Sequence, residues 1–98
     1  MNLLVEPRRW ERLPLAWEAV FGRRAPLVVE VGFGAGEFLE EMARRHPERD
    51  FVGFELSLEC LQRAQRRLTR RGLGNVRLVR LEARFGLREL FPDGSVEE

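Results

Sequence analysis

The sequence predicts an α/β fold built on a parallel sheet, and three observations predict it. The β-branched run Leu27-Val28-Val29-Glu30-Val31 ends at a glycine-rich turn. Apolar spacing then alternates between strand and helix periods up to Val79. Pro47, Ser57 and Gly72 stand where helices should stop or start. Strands alternating with helices form right-handed βαβ units, whose strands lie parallel.

Each element has its own signature. Ahead of the first strand, Trp10, Trp17, Val20 and Phe21 suit a short amphipathic helix, with Pro14 in its first turn. Leu27 to Val31 reads as a buried strand. Phe38, Leu39, Met42 and Ala43 recur at helical spacing, and Pro47 closes that helix. The second strand is Phe51 to Glu55.

Ser57 is placed to cap a second long helix, with Leu58, Leu61, Ala64 and Leu68 on its inner face and Arg63, Arg66, Arg67, Arg70 and Arg71 outside. Gly72 suits a left-handed cap, and Val76 to Val79 is a third strand. Leu87 to Phe91 reads as a helical turn and Pro92-Asp93-Gly94 as a tight one. Ser95 to Glu98 looks like the approach to a fourth strand that does not arrive, so only three strands are expected.

Composition sets bounds on function. A chain of 98 residues, 44% hydrophobic and 34% charged, matches one soluble globular unit. No apolar run approaches the roughly 20 residues that span a bilayer, and Met1 to Arg9 lacks a secretion signal's apolar core. A cytoplasmic location without membrane partners is expected. Cys60 has no second cysteine to pair with, and one histidine leaves no zinc set, so Cys60 reads as a small buried hydrophobe. All seventeen basic residues are arginine, but the acids reduce the net charge to +1. Global charge therefore does not announce a nucleic-acid binder.

The segment richest in chemistry is the turn Gly32-Phe33-Gly34-Ala35-Gly36 between the first strand and a helix start. Glycines let the backbone bend sharply and let a ligand approach without a Cβ in the way. The dinucleotide fingerprint is G-x-G-x-x-G, whereas this sequence reads E-x-G-x-G-x-G from Glu30 to Gly36. Glu37 adds a carboxylate near the helix start, where a pyrophosphate would be repelled. A ligand with a cationic end is the better match.

Glu55 lies 19 residues beyond Gly36, near the spacing at which an acid accepts hydrogen bonds from ribose hydroxyls. Glu82 follows the third strand, so Glu30, Glu55 and Glu82 fall at the carboxyl ends of successive strands. Ligands of open α/β folds bind along that edge. The competing reading of each acid alone is a solvated loop carboxylate. Glu37, Glu40 and Glu41 read as helix-face charges and His46 as a helix-end residue.

Trp17 to Phe21, Leu27 to Leu39, Phe51 to Glu55, Gly72-Leu73-Gly74-Asn75-Val76-Arg77 and Phe91-Pro92-Asp93-Gly94-Ser95 together resemble the bacterial tRNA (guanine-N7-)-methyltransferases. The glycine turn is common to all class I methyltransferases, and the last two motifs are more particular to this family. The resemblance implies a Rossmann-like class I methyltransferase fold, S-adenosylmethionine (SAM) as cofactor and tRNA as partner. It places Glu30 and the turn of Gly32, Gly34 and Gly36 by the methionine part of SAM, and Glu55 on its ribose. Glu82, with the backbone of Ala83, would sit by the adenine, although the family more often has Asp there. The implied reaction carries the methyl group to guanine N7.

The family's Asn-Phe-Pro-Asp-Pro-Trp-type loop for the guanine side is absent from these residues, so catalytic residues are expected beyond Glu98. Residues 1–98 are then the first part of one SAM-binding domain. Alone they are expected to be poorly stable or to pair with another copy through the exposed sheet edge, and to transfer no methyl group. Two other readings stay open: a class I methyltransferase with a protein or small-molecule acceptor, and a non-catalytic nucleotide-binding half-domain.

Overall fold

Trp17–Phe21 forms α1, Leu27–Val31 β1, Glu37–Arg45 α2, Asp50–Phe54 β2, Leu58–Arg70 α3, Val76–Val79 β3 and Val96–Glu97 β4. The computed structural model describes residues 3–5, 16–82, 90–91 and, as backbone, 96–97. Trp10, Pro14, the Leu87–Glu89 part of the expected turn and Pro92-Asp93-Gly94 lie outside the described residues. The four strands run parallel in the order β3-β2-β1-β4.

Strand alternation sends side chains to two faces, and each face has its own cover. Phe51, Val76 and Leu78 pack with Leu39 and Ala43 of α2 and Leu61, Ala64 and Leu68 of α3. On the opposite face, Leu27, Val52, Phe54 and Val79 pack with Trp17 of α1 and with Leu90 and Phe91. Trp17 stacks on Phe91 at 4.9 Å, and its Nε1 donates to the Leu90 carbonyl at 2.8 Å. The result is a three-layer sandwich with the sheet inside.

Helix ends follow the expected chemistry. Ser57 Oγ accepts from the Cys60 N–H, satisfying one donor that α3 cannot pair internally. At the other end Gly72 donates to Thr69 and Leu73 to Leu68, with Gly72 in the left-handed region. That is a Schellman motif, and Leu73 packs against the core beneath it.

The structure corrects several expectations. Periodicity puts Phe38 and Leu58 on inner helix faces, yet both are exposed. Each sits in the first turn of its helix, at the sheet's carboxyl edge, where no neighbouring layer covers it. Cys60, in the same first turn of α3, is only half-buried. The second strand runs one residue earlier than expected, at Asp50–Phe54; the Glu55 N–H still donates to the Val79 carbonyl at 3.2 Å, while its carboxylate folds back onto the N–H groups of Leu56 and Ser57. Val96 and Glu97, expected only to approach the sheet, already pair with Leu27 and Val28 as the start of a fourth strand. Leu3 to Val5, for which the sequence predicts no element, run beside β3: Leu4 pairs with Leu78, and Leu3 is buried.

Candidate functional site

β1 runs into α2 through a turn whose backbone favours glycine at three positions. Gly32, Gly34 and Gly36 take φ of 66°, 60° and 85°, where a Cβ would be strained. Their surroundings differ. A Cβ on Gly32 or Gly34 would meet nothing within 4 Å, so that side of the turn is open. A Cβ on Gly36 would lie 2.9 Å from the Ala64 Cβ of α3. Gly36 therefore lets the turn seat against α3, whereas Gly32 and Gly34 leave room for a ligand.

The turn is tied to the sheet. Gly32 N–H donates to the Phe54 carbonyl at 2.7 Å, extending the β1–β2 ladder by one step. Gly34 N–H donates to Glu55 Oε1 at 3.0 Å, while Glu55 Oε2 accepts from Leu56 and Ser57. The Ser57 N–H foremost, then those of Gly34 and Leu56, hold the Glu55 carboxyl below the ordinary carboxylate range against the opposing effect of burial. A carboxylate has about four lone-pair sites, so one remains for an incoming hydroxyl.

Glu30 is the reverse case. It lies in β1, paired in register with Gly53, and its Oε2 is buried with no hydrogen-bond partner among the described residues. Burial raises its pKa above the ordinary glutamate value of 4.5. A buried carboxylate oxygen without a donor calls for a cation or a donor from outside the described residues.

Of the other predicted site residues, Glu82 is exposed and follows β3 by three residues. Ala83 lies outside the described residues. The structure thus brings Glu55 and the glycine turn into direct contact, places Glu30 on the adjoining strand, and sets Glu82 beyond β3.

Sequence reasoning misses the apolar rim. Val31, Phe38 and Leu56 are 56%, 59% and 57% exposed, and all three flank the turn or its acids at element ends. Large apolar residues at strand and helix ends beside a glycine turn were the available signal. Phe33 escapes notice too: it is buried over Gly53, where a Cβ would come within 2.6 Å of its ring. Among the described residues no group of three His, Cys, Asp or Glu could hold a metal, and no helix is long and apolar enough to cross a membrane.

The family model described as "Putative methyltransferase" matches residues 24–98, from the approach to β1 through β4. The chain belongs to this methyltransferase family. A Thermotoga maritima protein named tRNA (guanine-N(7)-)-methyltransferase is 60% identical over 96% of this chain and 30% of its own length. A Thermus thermophilus protein of the same name is 43% identical over 98% of this chain and 31% of its own. The chain thus spans about a third of these methyltransferases. A crystal structure of a SAM-dependent methyltransferase from Aquifex aeolicus shares 25% identity with TM-score 0.53, covering 79% of this chain and 43% of that one. The Rossmann-like arrangement of parallel strands and flanking helices is that of the methyltransferase fold.

Proposed function

We propose that the protein transfers the methyl group of SAM to N7 of a guanine in tRNA, and that residues 1–98 belong to its SAM-binding domain. The observation that carries this reading is the unpartnered Oε2 of Glu30 beside a turn whose Gly32 and Gly34 leave open space. The shared name of the Thermotoga and Thermus relatives supports the reaction and the acceptor. A tRNA acceptor in turn implies a cytoplasmic location.

The residues fit the cofactor. Glu30 would receive the ammonium of the methionine part, directly or through water, which gives its buried oxygen the cation it lacks. The Gly32-Gly34 turn would face the same part, with Gly36 acting through its packing on α3. Glu55 would accept from a ribose hydroxyl at its remaining lone-pair site. Glu82 and Ala83 would flank the adenine, and Leu56 adds apolar surface beside it. When bound, SAM supplies an electrophilic methyl on a sulfonium.

Guanine N7 has an in-plane lone pair and no proton to remove. The protein's task is therefore alignment, and a strong general base is unnecessary. Residues that orient the guanine are proposed to lie beyond Glu98. The reading is tested by incubating the full protein with tRNA and methyl-labelled SAM and separating the nucleosides. Label in N7-methylguanosine is expected; label in another nucleoside, or none, overturns it. Residues 1–98 alone should transfer no methyl group, and their β1 edge, covered by β4 only at Leu27 and Val28, should favour self-association.

A further inference from the structure

On α2 the basic residues are all paired within the helix, because Arg44 and Arg45 both reach Glu41 one turn away. On α3 they are not. Arg67 and Arg71 share a single carboxylate, Glu40, at 3.2 and 2.8 Å. Arg63, Arg66 and Arg70 have no hydrogen bond or ion pair to any described residue. Five guanidinium groups thus line a surface whose lining includes one acid, Glu40 of α2, while Glu59, one turn before Arg63, is the acid on α3 itself; on a chain whose net charge is only +1, the positive charge is concentrated there.

The surface is also concave. Two adjoining hollows of about 200 and 300 Å³ are lined by Ala35, Arg63, Arg66, Arg67 and Arg70, and by Glu40, Arg67, Arg70 and Arg71. Ala35 belongs to the glycine turn, so the basic hollow opens beside the candidate cofactor site. Arg63 and Arg70 are two helical turns apart, about 10 Å along α3, a span that can face several successive phosphates. Guanidinium forks match phosphate oxygens two at a time.

We propose that the arginine face of α3 carries the phosphate backbone of the RNA substrate and presents it to the edge where the methyl donor is held. This rests on the reading of the protein as a tRNA methyltransferase, and it adds a surface that holds the acceptor. An ordinary solvated helix face does not explain the contiguity of the basic hollow with the glycine turn.

The test uses the full protein with tRNA as probe. The triple substitution Arg63→Gln, Arg66→Gln and Arg70→Gln should weaken tRNA binding about tenfold near physiological salt, and should flatten the dependence of log Kd on log salt by about 0.7–0.9 for each phosphate no longer neutralised. KM for tRNA should rise by a similar factor, with kcat at saturating tRNA, SAM affinity and thermal midpoint unchanged. The triple Arg→Lys variant should restore most of the slope, and Glu40→Gln should tighten tRNA binding by releasing Arg67 and Arg71. An unchanged slope and Kd in the Gln variant overturns the proposal. Binding is read without turnover, so a parent protein that methylates no tRNA defeats the functional reading, while the salt slope still decides the arginine face.

Discussion

At the scale of single residues, two carboxylates at one sheet edge have opposite surroundings. Glu55 is surrounded by backbone donors and stays ionised, whereas Glu30 keeps a buried oxygen without a partner. Because the folded pKa of Glu30 is raised, its ionised form opposes folding, and that penalty grows as pH rises from about 4.5 through the raised value. Glu30→Gln should therefore raise the denaturation midpoint at pH 7, have no stabilising effect below about pH 4.5, and weaken SAM binding at least tenfold. Urea titrations at the two pH values and calorimetry with SAM read these three outcomes. A site residue that weakens the empty protein marks function chosen over stability. Asn75 shows the structural counterpart: its Nδ2 reaches the carbonyls of Ala43, His46 and Arg49 and ties the end of α2 to β3. Asn75→Ala removes this shared donor, leaving the His46 carbonyl to the Arg49 N–H and the Arg49 carbonyl to Arg23, and should cost about 1–3 kcal/mol by chemical denaturation, with SAM affinity unchanged.

Elements reveal what the sequence made legible and why the rest was hidden. β1 and β3 and both ends of α3 are readable because local chemistry sets them: β-branched runs, a serine cap and a glycine stop. Ser57→Ala should accordingly cost about 1 kcal/mol, visible as a lower denaturant midpoint with unchanged slope. Phe38 and Leu58 mislead because helical periodicity cannot tell a residue over the core from one that overhangs the sheet's edge in the first turn. Leu3 to Val5 are invisible for another reason. Three residues are too few to show a period, and their pairing with Leu78 is a long-range contact that no local pattern encodes. In the candidate site, the glycine turn and Glu55 can be read from spacing alone. The division of labour among the glycines cannot, because it depends on Ala64 lying 2.9 Å from where a Gly36 Cβ would be. Gly36→Ala should therefore destabilise by about 2–4 kcal/mol, combining a left-handed backbone with overpacking. Thermal melts of this variant with and without SAM separate lost stability from lost binding.

The whole molecule assigns its layers different tasks. Aromatic packing of Trp17, Phe54 and Phe91 closes one face, and α2 and α3 close the other. Among the described residues, the carboxyl edge combines open backbone at Gly32 and Gly34, exposed apolar side chains and a buried carboxylate oxygen without a partner. That concentration of groups at one edge, with the arginine face of α3 beside it, is what supports the proposal that the edge binds the cofactor. The most direct test is a crystal structure of the full protein with SAM. A ribose hydroxyl should lie within hydrogen-bond distance of Glu55, and the methionine ammonium should reach Glu30 Oε2 directly or through one water. A cofactor whose sugar lies away from Glu55, with Glu30 still lacking a partner, would contradict the account.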